Sequence, residues 1–458
     1  VDDLKGSYAL EVISSLFPNE IIVVKKDSPL VIGKGKKENF IASDIPAILQ
    51  YTNEFYLLDD NEIAVITSSN ISFYDNHLEP HNKEIKNIEW AASSADKNGY
   101  EDYMLKEIYE QPVAIRETIG SRLKTGEISV FNDLDISKNY LKSINKIYIV
   151  ACGTAMHAGL IGKTVIEKLC RIPVEVDIAS EFRYRDPLVD EKTLCIYISQ
   201  SGETADTIAA LRLAKSKKAK TLAISNVIGS SITREADYTV YTHAGPEIAV
   251  ASTKAYTSQV VLITILGIYF AELLESCEKN FLESLKLEIL NLPSKVESIL
   301  ENANKIKEFA NKVYTQKDMF FLGRGNDYNV ALEGSLKLKE ISYIHSEAYA
   351  AGELKHGPIA LIENGVTVIG IVTDKHLVEK SISNIQEVIT RGARTLIITN
   401  QSLPNISLDC VINIPVTNEL LSPALSVVPL QLLSYYISKS KGLDVDKPRN
   451  LAKSVTVE

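Results

Sequence analysis

The 458-residue sequence is poor in cysteine, in excess basic charge and in long apolar runs. Its five cysteines are widely spaced and form no C-x-x-C pair, which favours free thiols in a reducing cytoplasm over a disulfide framework. A net charge of −10 provides no general attraction to nucleic acid or anionic membranes. The longest apolar run, VVLITILGIYFA from Val260, is too short to span a bilayer and is typical of a core helix. We therefore expect a cytoplasmic protein that binds neither nucleic acid nor membrane.

An initiator methionine is also absent, and the chain opens at Val1 in what reads as the middle of a domain. Short strand-like segments separated by turn residues follow, among them YALEVIS, EIIVVKK, FYLLD and EIAVITSS. A polar stretch, AASSADKNGYED, and a helical stretch broken at Pro112 come next. We therefore expect a β-rich domain remnant at 1–90 and a linker with a helical lead-in at 91–135.

From Lys146 onward, strand-like segments alternate with helix-like ones, which predicts parallel sheets covered by helices on both faces. KIYIVACGT and DMFFLGRG are apolar runs that end in glycine about 170 residues apart, and each opens a similar series. A period this long indicates duplicated domains. We place the two domains at 136–285 and 286–445, followed by a C-terminal tail at 446–458.

The motif SQSGET, at 199–204, directly follows the apolar run LCIYI. Ligands of open parallel sheets bind beyond the carboxyl ends of the strands, where a helix N-terminus offers free N–H groups to an anion. Ser199, Ser201 and Thr204 add hydroxyl groups, and Gly202 lets the backbone approach closely. The motif therefore suits a phosphate group, although Ser201 or Thr204 also suits an ordinary helix cap.

Two further loops of the first domain carry hydroxyl groups: CGTAMHA contributes Thr154, and VASTKA contributes Ser252. Three such loops suit a small polyhydroxylated, phosphorylated ligand. The chain has no Walker loop, and its glycine pairs lack the third glycine of a dinucleotide fingerprint. We expect no cofactor.

The second domain concentrates titratable residues in EGSLKLKEISYIHSEAYAAGELKHGP. On a helix, Glu333, Lys337 and Glu340 share one face, and a solvated, salt-bridged surface explains them without a site. The following segment, which holds His356, is too rich in alanine and glycine for a simple surface helix. The H-x-E at 345–347 has no accompanying P-C-x-x-C, so we expect no metal. The polar C-terminal tail is typical of a disordered segment, and Lys453 alone suggests no more than a solvated side chain.

Taken together, several segments resemble the isomerising glutamine–fructose-6-phosphate aminotransferases, the glucosamine-6-phosphate synthases. These are CGTAMHAG, IASEFRYR, SQSGETADT, EIAVASTKAYT, ALEGSLKLKEISYIHSEAYAAGELKHGP and DVDKPRNLAKSVTVE. The resemblance implies an α/β fold with two tandem sugar-isomerase (SIS) domains. It also implies, through LKGSYAL, SPLVIG and ENFIASD, that 1–90 is the closing part of a class II, Ntn-type glutaminase domain.

The same resemblance implies the conversion of fructose 6-phosphate to glucosamine 6-phosphate, the first step of hexosamine synthesis, with nitrogen from glutamine. Ala155 stands where the family often has serine. The residues implied to bind the phosphate and the sugar are Thr154, Ala155, Ser199, Gln200, Ser201, Thr204, Val250 and Ser252.

Catalytic roles follow from the resemblance residue by residue. Lys453 is implied to form a Schiff base with the ketose carbonyl, and Glu340 to move a proton between C1 and C2. Lys337 is implied to assist at the sugar oxygens. His356 is implied to open the sugar ring in the neighbouring subunit of a homodimer.

The family's glutaminase nucleophile is an N-terminal cysteine, whereas this chain opens at Val1 and has its first cysteine at Cys152. We therefore expect a chain that lacks the front of its glutaminase domain and releases no glutamate from glutamine.

Two other functions stay open. A non-catalytic sugar-phosphate regulator with the SIS fold needs the phosphate loop but not Glu340, His356 and Lys453. A plain phosphosugar isomerase or deaminase needs neither the glutaminase remnant nor the full NLAKSVTVE tail.

Overall fold

The computed structural model describes residues 3–45, 47–88, 96–124, 126–127, 129–131 and 134–455. Along these residues the chain forms a β-rich region, a helical lead-in and two α/β units. The last two residues of the predicted remnant, the start of the predicted linker at 91–95 and the last three residues of the predicted tail lie outside the described residues.

The β-rich region confirms the strand-like character of the first segment. Its strands form two antiparallel sheets, ordered β1-β2-β6-β7-β8 and β4-β3-β5-β9. Apolar residues of both sheets, including Val23, Ile32 and Phe73, share one buried cluster. The strands are β1 (Tyr8–Ser14), β2 (Phe17–Lys26), β3 (Val31–Lys34), β4 (Asn39–Ala42), β5 (Glu54–Leu57), β6 (Ile63–Ile66), β7 (Ile71–Tyr74), β8 (Pro80–His81) and β9 (Lys86–Asn87).

The lead-in contains α1 (Tyr103–Tyr109) and α2 (Gln111–Ile119), and α3 (Lys138–Ser143) lies at the start of the first predicted domain. The predicted break is confirmed: Pro112 lies in the first turn of α2, where its missing N–H costs no helical hydrogen bond.

The first α/β unit has a parallel sheet ordered β11-β10-β12-β13-β14. Every residue of its third strand in chain order is buried, as expected for a strand with helices on both faces. The strands are β10 (Lys146–Ala151), β11 (Val174–Ile178), β12 (Thr193–Ser199), β13 (Lys220–Ser225) and β14 (Tyr238–Tyr241). The helices are α4 (Gly153–Cys170), α5 (Ala179–Tyr184), α6 (Ala205–Ser216), α7 (Ser231–Glu235) and α8 (Lys254–Leu274).

The second unit repeats this plan, with a parallel sheet ordered β16-β15-β17-β18-β19. Three helices, α9 (Lys279–Leu290), α10 (Leu292–Glu301) and α11 (Asn304–Val313), precede it. Its strands are β15 (Asp318–Gly323), β16 (His345–Ala350), β17 (Thr367–Val372), β18 (Arg394–Thr399) and β19 (Cys410–Asn413), and its helices are α12 (Asn326–Ser342), α13 (Val378–Ile389) and α14 (Ser422–Ser440). The matching strand orders confirm the predicted duplication.

Helices α4 and α8 of the first unit and α12 and α14 of the second share one large buried apolar cluster. Helix α8 has 21 residues, and its most apolar 18-residue window has a mean hydropathy of 1.7, so within the described part of the chain it meets the length and composition of a membrane-spanning helix. The helix is longer than the apolar run considered from sequence. Because 78% of its most apolar window is buried inside the protein, it has the environment of a core helix.

Candidate active site

The SQSGET loop lies at the carboxyl edge of the first sheet, between β12 and α6. Ser199 Oγ accepts a hydrogen bond from Gly202 N at 2.9 Å, and Ser201 Oγ accepts one from Glu203 N at 3.2 Å. Thr204 occupies the N-cap position of α6 but makes no side-chain cap bond, and its Oγ1 lies 3.3 Å from Ser199 Oγ. The hydroxyl groups therefore shape the loop and do not cap the helix.

Glu203 points away from these hydroxyl groups, towards α7. Its carboxylate accepts hydrogen bonds from Ser231 N at 2.7 Å and Ser231 Oγ at 2.6 Å. Burial raises the pKa of Glu203, against the opposing effects of these bonds and of the Lys25 and Arg234 charges. The one acidic side chain of the motif thus leaves the loop open to an anion.

A cavity of about 110 Å³ opens at this loop. It brings together the three hydroxyl-bearing loops predicted from sequence, and it adds the tail residue Lys453. Its lining consists of Cys152, Thr154, Ala155, Ile198, Ser199, Gln200, Ser201, Thr204, Thr207, Ser252, Gln259 and Lys453. Of the predicted substrate residues, only Val250 is not part of the lining, and its N–H donates to Asp446 O at 3.0 Å.

The C-terminal tail, as far as residue 455, docks on the first α/β unit, so the expected disordered tail is wrong for this part. Ser454 Oγ lies 3.1 Å from Ser201 Oγ, and Val455 O accepts a hydrogen bond from Ala205 N at 3.2 Å. The tail therefore closes one side of the SQSGET loop.

Lys453 is also not the solvated side chain that its position alone suggested. Its Nζ donates to Glu247 Oε2 at 2.6 Å and to Ala249 O at 2.8 Å. Burial raises the pKa of Glu247, but the Lys453 charge and the hydrogen bonds from Lys453, Ser252 and Ala255 N outweigh it and lower the pKa to about 2. Glu247 was not singled out from sequence, although it is the first residue of the quoted motif EIAVASTKAYT and lies three residues before Val250.

The charged face of α12 is buried, so the solvated interpretation of this face is wrong. Glu333 and Lys337 are fully buried, and Lys337 Nζ lies 2.5 Å from Glu340 Oε2 and 3.5 Å from Glu333 Oε1. The contact with Glu340 is an ion pair without aligned hydrogen-bond geometry. Burial lowers the pKa of Lys337, but the charges of Glu340, Glu333 and Glu247 raise it above its usual value. Because the negative charge of Glu247 interacts with both lysines, Lys337 and Lys453 belong to one electrostatic cluster.

Glu333 also joins the two α/β units. Its Oε1 accepts a hydrogen bond from Thr154 Oγ1 at 3.1 Å, and its Oε2 lies 2.7 Å from His157 Nδ1. Both partners lie in the first two turns of α4, where the cavity begins. Neither Glu333 nor His157 was assigned a role from sequence, because the contact between α4 and α12 is visible only in the folded chain.

His356 lies apart from this cluster. It ends a short 3₁₀ turn, Glu353–His356, its side chain is exposed, and it does not line the cavity. The structure therefore brings Lys453, Lys337 and Glu340 together with the hydroxyl loops within one chain, but does not bring His356 to them.

The H-x-E segment at 345–347 forms the first half of edge strand β16, which was not predicted. His345 Nδ1 lies 2.9 Å from Asp318 Oδ1. Among the described residues, no group of three or more His, Cys, Asp or Glu side chains is arranged to hold a metal ion.

Comparisons with known proteins agree with this architecture. The family model of the SIS domain matches residues 140–269 and 312–438. The C-terminal domain of glucosamine-fructose-6-phosphate aminotransferase from Francisella tularensis superposes with a TM-score of 0.74 at 41% identity, covering 77% of this chain and 100% of that one. A glucosamine-6-phosphate deaminase from Thermotoga maritima, 24% identical with a TM-score of 0.61 over 77% of this chain and 99% of its own, shares the fold.

Similarity in sequence extends over the whole chain. The glutamine–fructose-6-phosphate aminotransferase (isomerizing) of Clostridium perfringens is 57% identical over 99% of this chain and 75% of its own length. The enzyme of the same name from Methanosarcina acetivorans is 45% identical over 100% of this chain and 74% of its own length. The chain therefore belongs to the family of isomerising glutamine–fructose-6-phosphate aminotransferases.

Proposed function

We propose that this chain converts fructose 6-phosphate to glucosamine 6-phosphate. The observation that carries the proposal is the single cavity in which the SQSGET hydroxyl groups and Lys453 meet, in a chain of this family. Two observations support an enzyme over a non-catalytic regulator. The chain belongs to a family of enzymes. In addition, Lys453 is paired with Glu247 beside the phosphate loop, and a regulator that only binds the sugar phosphate has no need for such a lysine.

The phosphate of the sugar is proposed to bind at the SQSGET loop. Ser199, Gln200, Ser201 and Thr204 line the cavity beside the start of α6, where the helix dipole favours negative charge. Since Glu203 is turned towards Ser231, no carboxylate of the motif repels the phosphate.

The sugar is proposed to lie along Thr154, Ala155, Val250 and Ser252. Thr154 and Ala155 line the cavity from the start of α4, and Ser252 lines it from the opposite loop. Val250 contributes indirectly, because its N–H donates to Asp446 O and so holds the loop that carries Ser252 against the base of the tail.

Lys453 is proposed to attack C2 of the open-chain ketose. The lysine, charged in its ion pair with Glu247, first gives up one proton. The neutral amine then adds to the carbonyl carbon, the carbonyl oxygen leaves as water that takes up this proton, and the resulting iminium makes the hydrogens on C1 more acidic. Ammonia then displaces the lysine at C2, so the nitrogen stays on the sugar and the amine of Lys453 is restored. Glu247 and Ala249 hold the lysine in place before the reaction.

Glu340 is proposed to carry out the isomerisation. Its carboxylate removes a proton from C1 and returns it to C2, while the C1 hydroxyl loses its proton as the aldehyde forms. Lys337, held as a cation by Glu340 and Glu333, is proposed to stabilise negative charge on the sugar oxygens during this step.

His356 is proposed to open the sugar ring of the neighbouring subunit in a homodimer, which agrees with its exposed position away from its own cavity. We further propose that the β-rich region belongs to an Ntn-type glutaminase domain, supported by its two packed antiparallel sheets. All five cysteines are free, which supports a cytoplasmic location.

Borohydride trapping tests the proposal. Reduction in the presence of fructose 6-phosphate should link the sugar to the peptide that contains Lys453, and Lys453→Ala should abolish both the adduct and product formation. Lys447→Ala, at an exposed lysine of the same tail, serves as the matched control and should keep both. An adduct on another peptide, or none, contradicts the assignment of Lys453.

Product analysis with and without ammonia separates the remaining functions. In reactions that contain no glutamine, we expect glucosamine 6-phosphate only when ammonia is supplied. A plain isomerase forms glucose 6-phosphate at full rate without it, and a regulator binds the sugar without forming any product.

A further inference from the structure

We propose that Glu107, on helix α1 of the lead-in, is a positioning residue for Lys453, because it holds the loop that presents both acceptors of the lysine amine. This inference rests on the proposed Schiff-base role of Lys453. The lead-in lies before the first SIS match at residue 140, and the sequence assigned it no part in the site.

The first contact joins α1 to the loop. Glu107 is buried, and its Oε1 accepts hydrogen bonds from Ile248 N at 2.5 Å and Ala249 N at 3.2 Å. A single carboxylate oxygen therefore fixes two successive peptide units.

Those peptide units are the ones that hold the lysine. Ala249 donates its N–H to Glu107 and accepts from Lys453 Nζ through its carbonyl oxygen at 2.8 Å. Glu247, the residue before Ile248, provides the second acceptor at 2.6 Å. A shift of this loop therefore moves both acceptors of Lys453 together.

Helix α1 also fixes the start of the tail. The N–H groups of Tyr103 and Met104 donate to the Asp446 carboxylate at 2.9 and 2.8 Å, and Asp446 O accepts from Val250 N at 3.0 Å. The helix thus holds the loop and the base of the tail against each other, and Lys453 lies seven residues further along the chain from Asp446.

Glu107 holds the loop through the length of its side chain and does not require a negative charge. Burial and the negative charge of Glu247 raise the pKa of Glu107 to about 8, against the opposing charges of Lys453 and Lys254. Its Oε2 is buried and has no hydrogen-bond partner among the described residues. A neutral side chain of the same length can therefore replace it.

Two substitutions separate the effect of side-chain length from the effect of charge. Glu107→Gln keeps the length and an acceptor oxygen but cannot ionise, so it should keep the rate of Lys453 trapping and kcat near those of the unmodified chain. Glu107→Asp keeps an ionisable carboxyl group but shortens the side chain by one methylene group. It should lower both rates by about tenfold to a hundredfold, the loss that a misplacement of about 1 Å can cause.

The affinity for fructose 6-phosphate distinguishes a misplaced lysine from a general loss of structure, because a general loss of structure would also lower this affinity. In Glu107→Asp the affinity should change much less than the trapping rate, because the phosphate is proposed to bind at the SQSGET loop and no described contact joins Glu107 to that loop. Glu117→Asp, at an exposed glutamate of α2, is the matched control and should change none of these values.

Equal trapping rates in Glu107→Asp and the unmodified chain overturn the proposal, as does a loss in Glu107→Gln with retention in Glu107→Asp. If the proposed function of Lys453 is itself wrong, the unmodified chain forms no adduct on Lys453. This outcome is distinguishable from a failure of the proposal for Glu107. If Glu107→Asp does not fold, a loss of trapping in the folded Glu107→Gln chain still overturns the proposal.

Discussion

At the scale of single residues, the hydroxyl groups of the SQSGET loop have two roles. Ser201 Oγ accepts from Glu203 N and lies beside Ser454 Oγ, and Thr204 Oγ1 lies beside Ser199 Oγ. A hydroxyl group has one donor hydrogen and two acceptor lone pairs, so one bond within the loop leaves the capacity to bind a phosphate oxygen. The same atoms can therefore shape the empty loop and bind the ligand.

We predict that the double substitution Ser201→Ala and Thr204→Ala weakens fructose 6-phosphate binding by roughly 1–3 kcal/mol, the usual cost of losing hydrogen bonds to a charged group. Isothermal titration measures the change. Ser216→Ala, at an exposed serine near the end of α6, is the control and should bind normally. Unchanged affinity in the double variant would show that both hydroxyl groups have only a structural role.

At the scale of elements, the loop depends on a close approach between its backbone and the segment before α7. Gly202 has a φ of +68°, and a Cβ at this position would lie 2.0 Å from Ser230 Oγ and 2.5 Å from Ser230 Cβ. Glycine is therefore required twice here, for its backbone conformation and for the absence of a side chain.

We predict that Gly202→Ala destabilises the chain more than Gly442→Ala does and also weakens sugar binding. Gly442 has a φ of +72° with open space around it, so its substitution adds only the strain of a left-handed residue, about 1–2 kcal/mol. Thermal unfolding and sugar titration of both variants measure the difference. Equal destabilisation would show that the loop can move away from Ser230.

Helix α12 illustrates how a charged helix face becomes part of a site. Lys337 pairs with both Glu333 and Glu340, and Glu333 also contacts α4 of the other α/β unit. A buried charge is stable only when it is paired, because desolvation of an isolated ion costs several kcal/mol. The site and the packing of the two units are thus stabilised by the same contacts.

At the scale of the whole molecule, the β-rich region contacts the first α/β unit through ion pairs and apolar packing. Arg212 lies 3.1 Å from Asp27, and Arg234 lies 3.6 Å from Asp59. Val227 packs against the apolar cluster that contains Phe55. Partly exposed pairs of this kind contribute about 0–1 kcal/mol each, so the apolar contact is the stronger part of this interface.

The exposed position of His356 leads to a prediction about the proposed homodimer. Mixing the inactive chains His356→Ala and Lys453→Ala should restore up to about a quarter of the activity, since half of randomly exchanged dimers in a C₂ assembly are mixed and each has one complete site in two. Steady-state assays after subunit exchange measure the recovery.

A matched mixture provides the control for that experiment. Glu340→Ala with Lys453→Ala should show no recovery, because Glu340 and Lys453 belong to the same electrostatic cluster within one chain. Recovery in neither mixture, when exchange has been demonstrated, would place the whole site within one subunit.

The sequence alone determined the broad architecture and the chemistry of the loops. Buried strands such as LCIYIS and the helix break at Pro112 are local consequences of apolar runs and of the missing proline N–H, so they could be predicted. The long motifs identified the family, and the hydroxyl loops shared one sheet edge because carboxyl ends of parallel strands lie together.

Only the tertiary structure decided which charged residues are buried and paired. The tail at Lys453, the face of α12 and the lead-in residue Glu107 all read as ordinary polar sequence, because their partners lie far away in the chain. Edge strand β16 was missed for a related reason, since HSEAYA becomes a strand by pairing with β15. The local pattern records a residue's own preference, whereas burial and ion pairing depend on which distant segments the fold places beside it.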